Sequence, residues 1–254
     1  MTVRFALDKL AADGMEEAVA WHTVGIVCDG GQGIATGITV VWRGHYLILT
    51  AYHVIQGNRP GDFSLIFREP GSLVHAELSE VPGRRDFALL PKQHVLVRKI
   101  QFDLNLDLGF LEVSPDLAAY HRVRFFKLDS SDAAPQVGTT VVVRGYPSDI
   151  ASPTGEGDRL LLASGFWSQI ADKPRPHRFE PDREFLVKYP LADAGKHARG
   201  FSGAGAWFHR SPAPAWHPNL GLGGVCTHYY GRSGLLSFIK SQFVVRFLRS
   251  MFPE

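Results

Sequence analysis

From Thr36 to Leu49 apolar residues recur with the two-residue period of a strand, broken once at Arg43-Gly44. Successive strand side chains point to opposite faces, so this run reads as two short strands joined by a tight turn. Further strand-like segments follow at short intervals, near 22–28, 63–68, 74–79, 96–103, 108–113, 122–127, 139–145, 160–169, 185–190, 203–208, 222–229 and 235–239. Turn-forming clusters such as Asp29-Gly30-Gly31 and Gly57-Asn58-Arg59-Pro60-Gly61 separate them. The helical period is confined to the two ends. Residues 5–20 carry Phe5, Leu7, Leu10, Met15 and Val19 and predict one short or broken helix, weakened at Gly14. Ile239 to Met251 predicts a C-terminal helix with its basic residues outward. No regular alternation of strand and helix is visible, so the pattern is that of an all-β protein and not of a doubly wound sheet.

Composition narrows this picture only slightly. The chain has 254 residues, 45% hydrophobic and 20% charged, enough for one large β unit or two small barrels with a substantial core. A net charge of +2, with Arg and Lys scattered, gives no footprint for nucleic acid. No uncharged apolar stretch is long enough to span a bilayer, and the start of the chain lacks a secretory-signal core; both point to the cytoplasm. The two cysteines, Cys28 and Cys226, sit in apolar strand-like runs and read as buried free thiols. Three longer polar loops, 148–158, 171–183 and 209–219, interrupt the second half, and such loops often line binding clefts.

Two positions carry chemistry. His53, in Thr50-Ala51-Tyr52-His53-Val54, falls where the second strand of the hairpin ends, a rigid place for a general base. A lone histidine is more often structural, so the reading depends on partners elsewhere. Arg199-Gly200-Phe201-Ser202-Gly203-Ala204-Gly205 places a serine between glycines. That is either a flexible turn or a nucleophile on a tight one, with the backbone N–H groups of Gly200 and Ser202 aimed at a developing oxyanion. The order Ser, acid, His of an α/β-hydrolase is excluded, because the only acid after Ser202 is Glu254. The order His, Asp, Ser stays open. The remaining histidines show neither HExxH nor paired Cys/His spacing, so neither a metal nor a cofactor is expected.

At these residues the chain resembles the trypsin-like serine peptidases, in particular the compact bacterial intracellular type. Ala35-Thr36-Gly37 and Leu47 to Val54 are similar to the family's strand and its histidine motif, and Gly200-Phe201-Ser202-Gly203 is similar to its nucleophile turn. Val141 to Pro147 resembles a strand and turn of the second barrel, and Gly223 to His228 the strand along which substrate backbone pairs. The resemblance implies two six-stranded Greek-key β-barrels of chymotrypsin type with the site between them. Residues 1–20 would form an N-terminal helical segment, 21–118 a first barrel carrying histidine and aspartate, and 119–254 a second barrel carrying serine and the C-terminal helix. It implies a His53–Asp107–Ser202 triad acting on protein or peptide substrates. Asp107 is favoured as the acid because its separation from Gly145 suits the family; Asp86 would need a large insertion, and Asp103 is a third candidate. The resemblance also puts Lys196, His197, Thr227 and His228 near the substrate pocket. A basic pocket there would favour acidic side chains; the other reading is a solvent-exposed Lys196 and an apolar pocket.

One departure stands out. Secreted members of the family carry an aspartate just before the serine, paired with an N-terminus freed by cleavage; here that residue is Phe201, and no such cleavage site stands near the start. The turn must then be ordered permanently, by substrate or by a partner. Three functional readings follow: an endopeptidase, an effector switched on by a protein partner or ligand, and a silent peptidase fold used as a binding module.

Overall fold

A computed structural model describes residues 3–28, 33–59, 63–67, 97–117, 123–129, 135–148, 152–153, 159–160, 163–172, 176–194, 197–210 and 219–253. The chain opens on one helix, α1 (Val3–Trp21), which runs unbroken through Gly14. A mid-helix glycine costs about 1 kcal/mol relative to alanine. Burial of Met15 and Val19, four apart and therefore on one helix face, outweighs that cost.

The first half then forms a sheet from β1 (Thr23–Cys28), β2 (Gly33–Trp42), β3 (His45–Ala51), β4 (Ser64–Ile66), β5 (Val97–Asp103) and β6 (Leu108–Val113). A single helical turn, α2 (Tyr52–Ile55), follows β3. The spatial order is β4-β1-β2-β3-β6-β5, all neighbours antiparallel. The expected β2–β3 hairpin forms with Trp42 opposite His45, and Arg43 and Gly44 take positive φ at its tip. The expected strand at 74–79 lies outside the described residues. A seventh strand, β7 (Phe126–Lys127), pairs parallel with β2, so the connection to the second half runs back along the first sheet.

The second half closes. β8 (Thr140–Gly145), β11 (Ser164–Ala171), β12 (Glu184–Lys188), β13 (Gly205–His209), β14 (Leu220–Tyr230) and β15 (Leu235–Lys240) form a barrel in the order β11-β12-β15-β14-β13-β8. The short β9 (Ser152–Pro153) and β10 (Arg159–Leu160) pair only with each other. The terminal helix, α3 (Ser241–Met251), starts two residues later than its periodicity suggests, because Ile239 and Lys240 still pair in β15. The all-β, chymotrypsin-like architecture is therefore present, as a closed six-stranded barrel beside a seven-stranded sheet. No helix among the described residues is long and apolar enough to cross a membrane.

One apolar cluster joins the two halves. Met15 and Val19 of α1 meet Val40, Leu49 and Phe110 of the first sheet, Val142, Trp207 and Val225 of the barrel, and Val244 and Leu248 of α3. All are buried, Trp207 completely. His22, just after α1, sits at the edge of this cluster beside Phe126 and Trp207 and donates its Nδ1–H to the Arg124 carbonyl at 3.2 Å.

Burial pushes the pKa of His22 down to about 4, only partly offset by that hydrogen bond. The unfolded chain therefore binds the proton more tightly, and between about pH 6.5 and 4 stability falls as pH falls. This group contributes up to about 3 kcal/mol of the loss. Urea unfolding of His22→Phe, which keeps an aromatic ring, should lose that much less stability than the parent between pH 7 and 4. Parallel losses in the two proteins would show that His22 is not held neutral.

Candidate active site

β3 ends at Ala51, paired with Leu108, and this register brings Asp107 beside residues 52 and 53. The turn that delivers Asp107 is built by Asp103, whose Oδ1 accepts the N–H groups of Asn105 (2.8 Å) and Leu106 (3.2 Å). Asp103 is thus a turn former. Asp107 itself has φ +49°, a left-handed conformation that Asp and Asn adopt more readily than most residues. Its carbonyl accepts the Tyr52 N–H at 2.9 Å, its Oδ1 the His53 N–H at 3.0 Å, and its Oδ2 the His53 Nδ1–H at 2.8 Å. One residue therefore satisfies two free donors at the start of α2 and fixes the ring of His53. His53 falls inside α2, not at the strand end expected from the sequence. A one-turn helix is too short for periodicity to reveal. Asp86 lies outside the described residues.

With Nδ1 donating to the carboxylate, His53 Nε2 is free to accept, and it lies 2.9 Å from Ser202 Oγ. Ser202 sits in a turn with Gly200 at φ +93° and Gly203 at φ +86°. Both glycines are required twice over. A Cβ on Gly200 would lie 2.1 Å from the Tyr146 carbonyl oxygen, and one on Gly203 would lie 2.0 Å from that of Thr36. The Gly203 N–H donates to the Cys226 carbonyl at 2.7 Å, which seats the turn on β14. Phe201 is fully buried, edge-on to Phe166 and Tyr189 in the barrel core. The Arg199 carbonyl accepts the Ser148 N–H at 2.9 Å, and in a planar trans peptide the following Gly200 N–H points the opposite way. Among the described residues neither the Gly200 nor the Ser202 N–H donates to another backbone group.

A cleft of about 880 Å³ runs from His53 and Ser202 between the turn at 104–107 and the segment at 177–184, with Thr227 to Tyr230 of β14 along it. Of the expected pocket residues, Thr227 (buried) and His228 (exposed, its ring 6.5 Å from that of His53) line it. His197 is exposed and not part of its lining, and Lys196 lies outside the described residues. The opposite wall was not singled out residue by residue in the sequence; the only signal was the Pro-rich loop at 171–183. There Arg183 pairs with Glu180 and also donates across the cleft to the Asn105 carbonyl at 3.3 Å. Glu184 accepts from Ser237 Oγ at 3.0 Å, whereas His177 and Arg178 stand exposed at the rim. The wall is therefore of mixed charge.

Cys226, behind the site, is a buried free thiol. Burial pushes its pKa far up, and the nearby Asp107 carboxylate pushes the same way, so it is not a second nucleophile. Among the described residues no three His, Cys, Asp or Glu side chains converge as metal ligands.

The model of the trypsin-like peptidase domain matches residues 35–209. The chain belongs to that family. The match covers most of the chain and takes in all but the first two residues of β2, α2, the turn at Asp107 and the turn at Ser202. No curated protein matches the sequence.

In this peptidase domain the serine turn tolerates no side chain at 203. Gly203→Ala should cost about 3 kcal/mol or more, since it adds a backbone clash to an unfavourable φ. Gly44 has nearly the same φ, +85°, but open space around it, so Gly44→Ala should cost only about 1 kcal/mol. Urea midpoints compare the two; equal losses would mean that conformation alone, not the approach to Thr36, requires glycine.

Proposed function

We propose that this protein is a serine endopeptidase that hydrolyses peptide bonds through an acyl-enzyme on Ser202. The observation that carries this reading is the unbroken hydrogen-bonded chain from Asp107 Oδ2 through His53 to Ser202 Oγ, at 2.8 and 2.9 Å. His53 Nε2 takes the hydroxyl proton as Ser202 Oγ attacks the substrate carbonyl, and Asp107 stabilises the imidazolium that forms. The N–H groups of Gly200 and Ser202 receive the oxyanion. Collapse of the tetrahedral adduct passes the proton from His53 to the leaving amine. Water, deprotonated by the same His53, then releases the acyl group. Thr227 and His228 of β14 lie beside the substrate chain in the cleft. Protein or peptide substrates suit the family.

A fluorophosphonate probe should label the purified protein and fail to label Ser202→Ala. Asp107→Asn, which keeps the backbone contacts but reverses one hydrogen bond to the ring, should lower kcat by about 10³- to 10⁴-fold. Asp86→Asn should change kcat less than twofold. A reversed ranking would move the acid to Asp86. No labelling, with or without lysate, supports the silent binding module instead, and labelling only with lysate supports a partner-activated effector.

A further inference from the structure

The turn at 199–203 contains two left-handed glycines and no charged tether, since Phe201 stands where an aspartate would be held by a new N-terminus. Phe201 fixes the turn's depth through apolar packing, but packing does not decide which way the flanking peptide groups face. Those directions matter, because an oxyanion donor works only if its N–H is aimed before the reaction starts.

The polar atoms around the turn converge on Thr36 of β2, which is 0% exposed. Its Oγ1–H donates to the Gly200 carbonyl at 2.6 Å, and the same oxygen accepts the Tyr146 N–H at 2.9 Å. Its backbone N–H donates to the Ser202 carbonyl at 2.9 Å. Its own carbonyl accepts the Thr50 hydroxyl at 2.8 Å. Every polar atom of Thr36 is used, and two carbonyls of the nucleophile turn are pinned to it. The preceding carbonyl, that of Arg199, is pinned from the other side by Ser148. Gly200 is therefore clamped at both flanking peptides, which leaves its N–H a single direction. Space for the hydroxyl is provided by Gly145, where a Cβ would lie 2.8 Å from Thr36 Oγ1.

We propose that Thr36 is a positioning residue for catalysis: its hydroxyl, delivered by the first sheet, locks the oxyanion turn of the barrel in its working orientation and replaces an N-terminal tether. This rests on the peptidase reading and says in addition that the turn is ordered without partner or cleavage. Removing the hydroxyl takes a buried hydrogen bond from both the Gly200 carbonyl and the Tyr146 N–H, and with the Gly200–Phe201 peptide released Gly200 is held from the Arg199 side alone, so the aim of its N–H is no longer fixed.

Thr36→Val keeps the shape and deletes the hydroxyl; Thr36→Ser keeps the hydroxyl. With kcat measured per titratable site on a peptide substrate, Thr36→Val should lose about 10- to 100-fold in kcat, with KM within about twofold. Binding of a peptide boronic acid, which mimics the tetrahedral adduct, should weaken by a similar factor. Thr36→Ser should restore both to within about threefold. Thr39→Val, which removes a hydrogen bond of the same strand, from the buried Thr39 to the Arg124 carbonyl (2.7 Å) away from the turn, should lower the urea midpoint and spare kcat. Should Thr36→Val not fold, Thr36→Ala serves the same comparison. A Thr36 variant that unfolds more easily but keeps parental kcat and boronate affinity would overturn the proposal. If the parent protein neither cleaves peptide nor binds boronate, the peptidase reading itself fails, and the role of Thr36 with it.

Discussion

The site depends on a contact of backbone with backbone. At Gly203 the nucleophile turn lies so close to the Thr36 carbonyl of β2 that no side chain fits between them, and the Thr50 hydroxyl closes the same point from β3. Thr50 is three residues before His53, and Gly203 directly follows Ser202. The separation of His53 and Ser202 is therefore set by main-chain atoms a few residues away, and the 2.9 Å contact between their partly exposed side chains inherits that precision. Asp107 extends the same logic, because it holds the backbone of α2 with the same carboxylate that orients the ring.

Such a contact is useful only if the two sheets cannot shift against each other. The apolar cluster that joins them draws on both sheets and both long helices, and close-packed interiors of this kind resist small displacements. Residues of the site run directly into it: Leu108 and Phe110 follow Asp107 on β6, and Val225 precedes Cys226 on β14. α1 and α3 thus belong to the machinery that holds the site, though neither reaches it.

Much of this was legible in the chain. Alternation located most of the described strands to within two residues, because half-buried antiparallel strands impose a period of two; β7 and β11 begin four residues later than expected, and the two-residue β9 and β10 were not foreseen. His53 and Ser202 were legible from motif and order, and Asp107 from its spacing to the barrel strand at 140–145. What escaped has a common cause, since it depends on contacts distant in sequence. The parallel pairing of β7 with β2, the bridge from Arg183 to Asn105, and the four hydrogen bonds of Thr36 leave no local signature. In the sequence Thr36 is one small residue beside a glycine. The short α2 escaped for a different reason, being a single turn held by Asp107 and not by its own pattern.

Magnitudes separate the rigid part of the site from the adaptable part. The nucleophile turn is held by buried hydrogen bonds whose loss strands carbonyl and N–H groups away from water, at about 1–3 kcal/mol for each. The far wall of the cleft is tied at more exposed groups: Glu180 and Arg183, 55% and 30% exposed, pair within it, Arg183 reaches the Asn105 carbonyl, and Lys240 Nζ donates to the Pro181 and Asp182 carbonyls. Exposed pairs contribute about 0–1 kcal/mol and weaken with salt. Displacing the wall therefore costs less per contact than displacing the turn. The stiffer part is the one that sets the separation of His53 and Ser202, and the cleft beside it is the part with room to adjust.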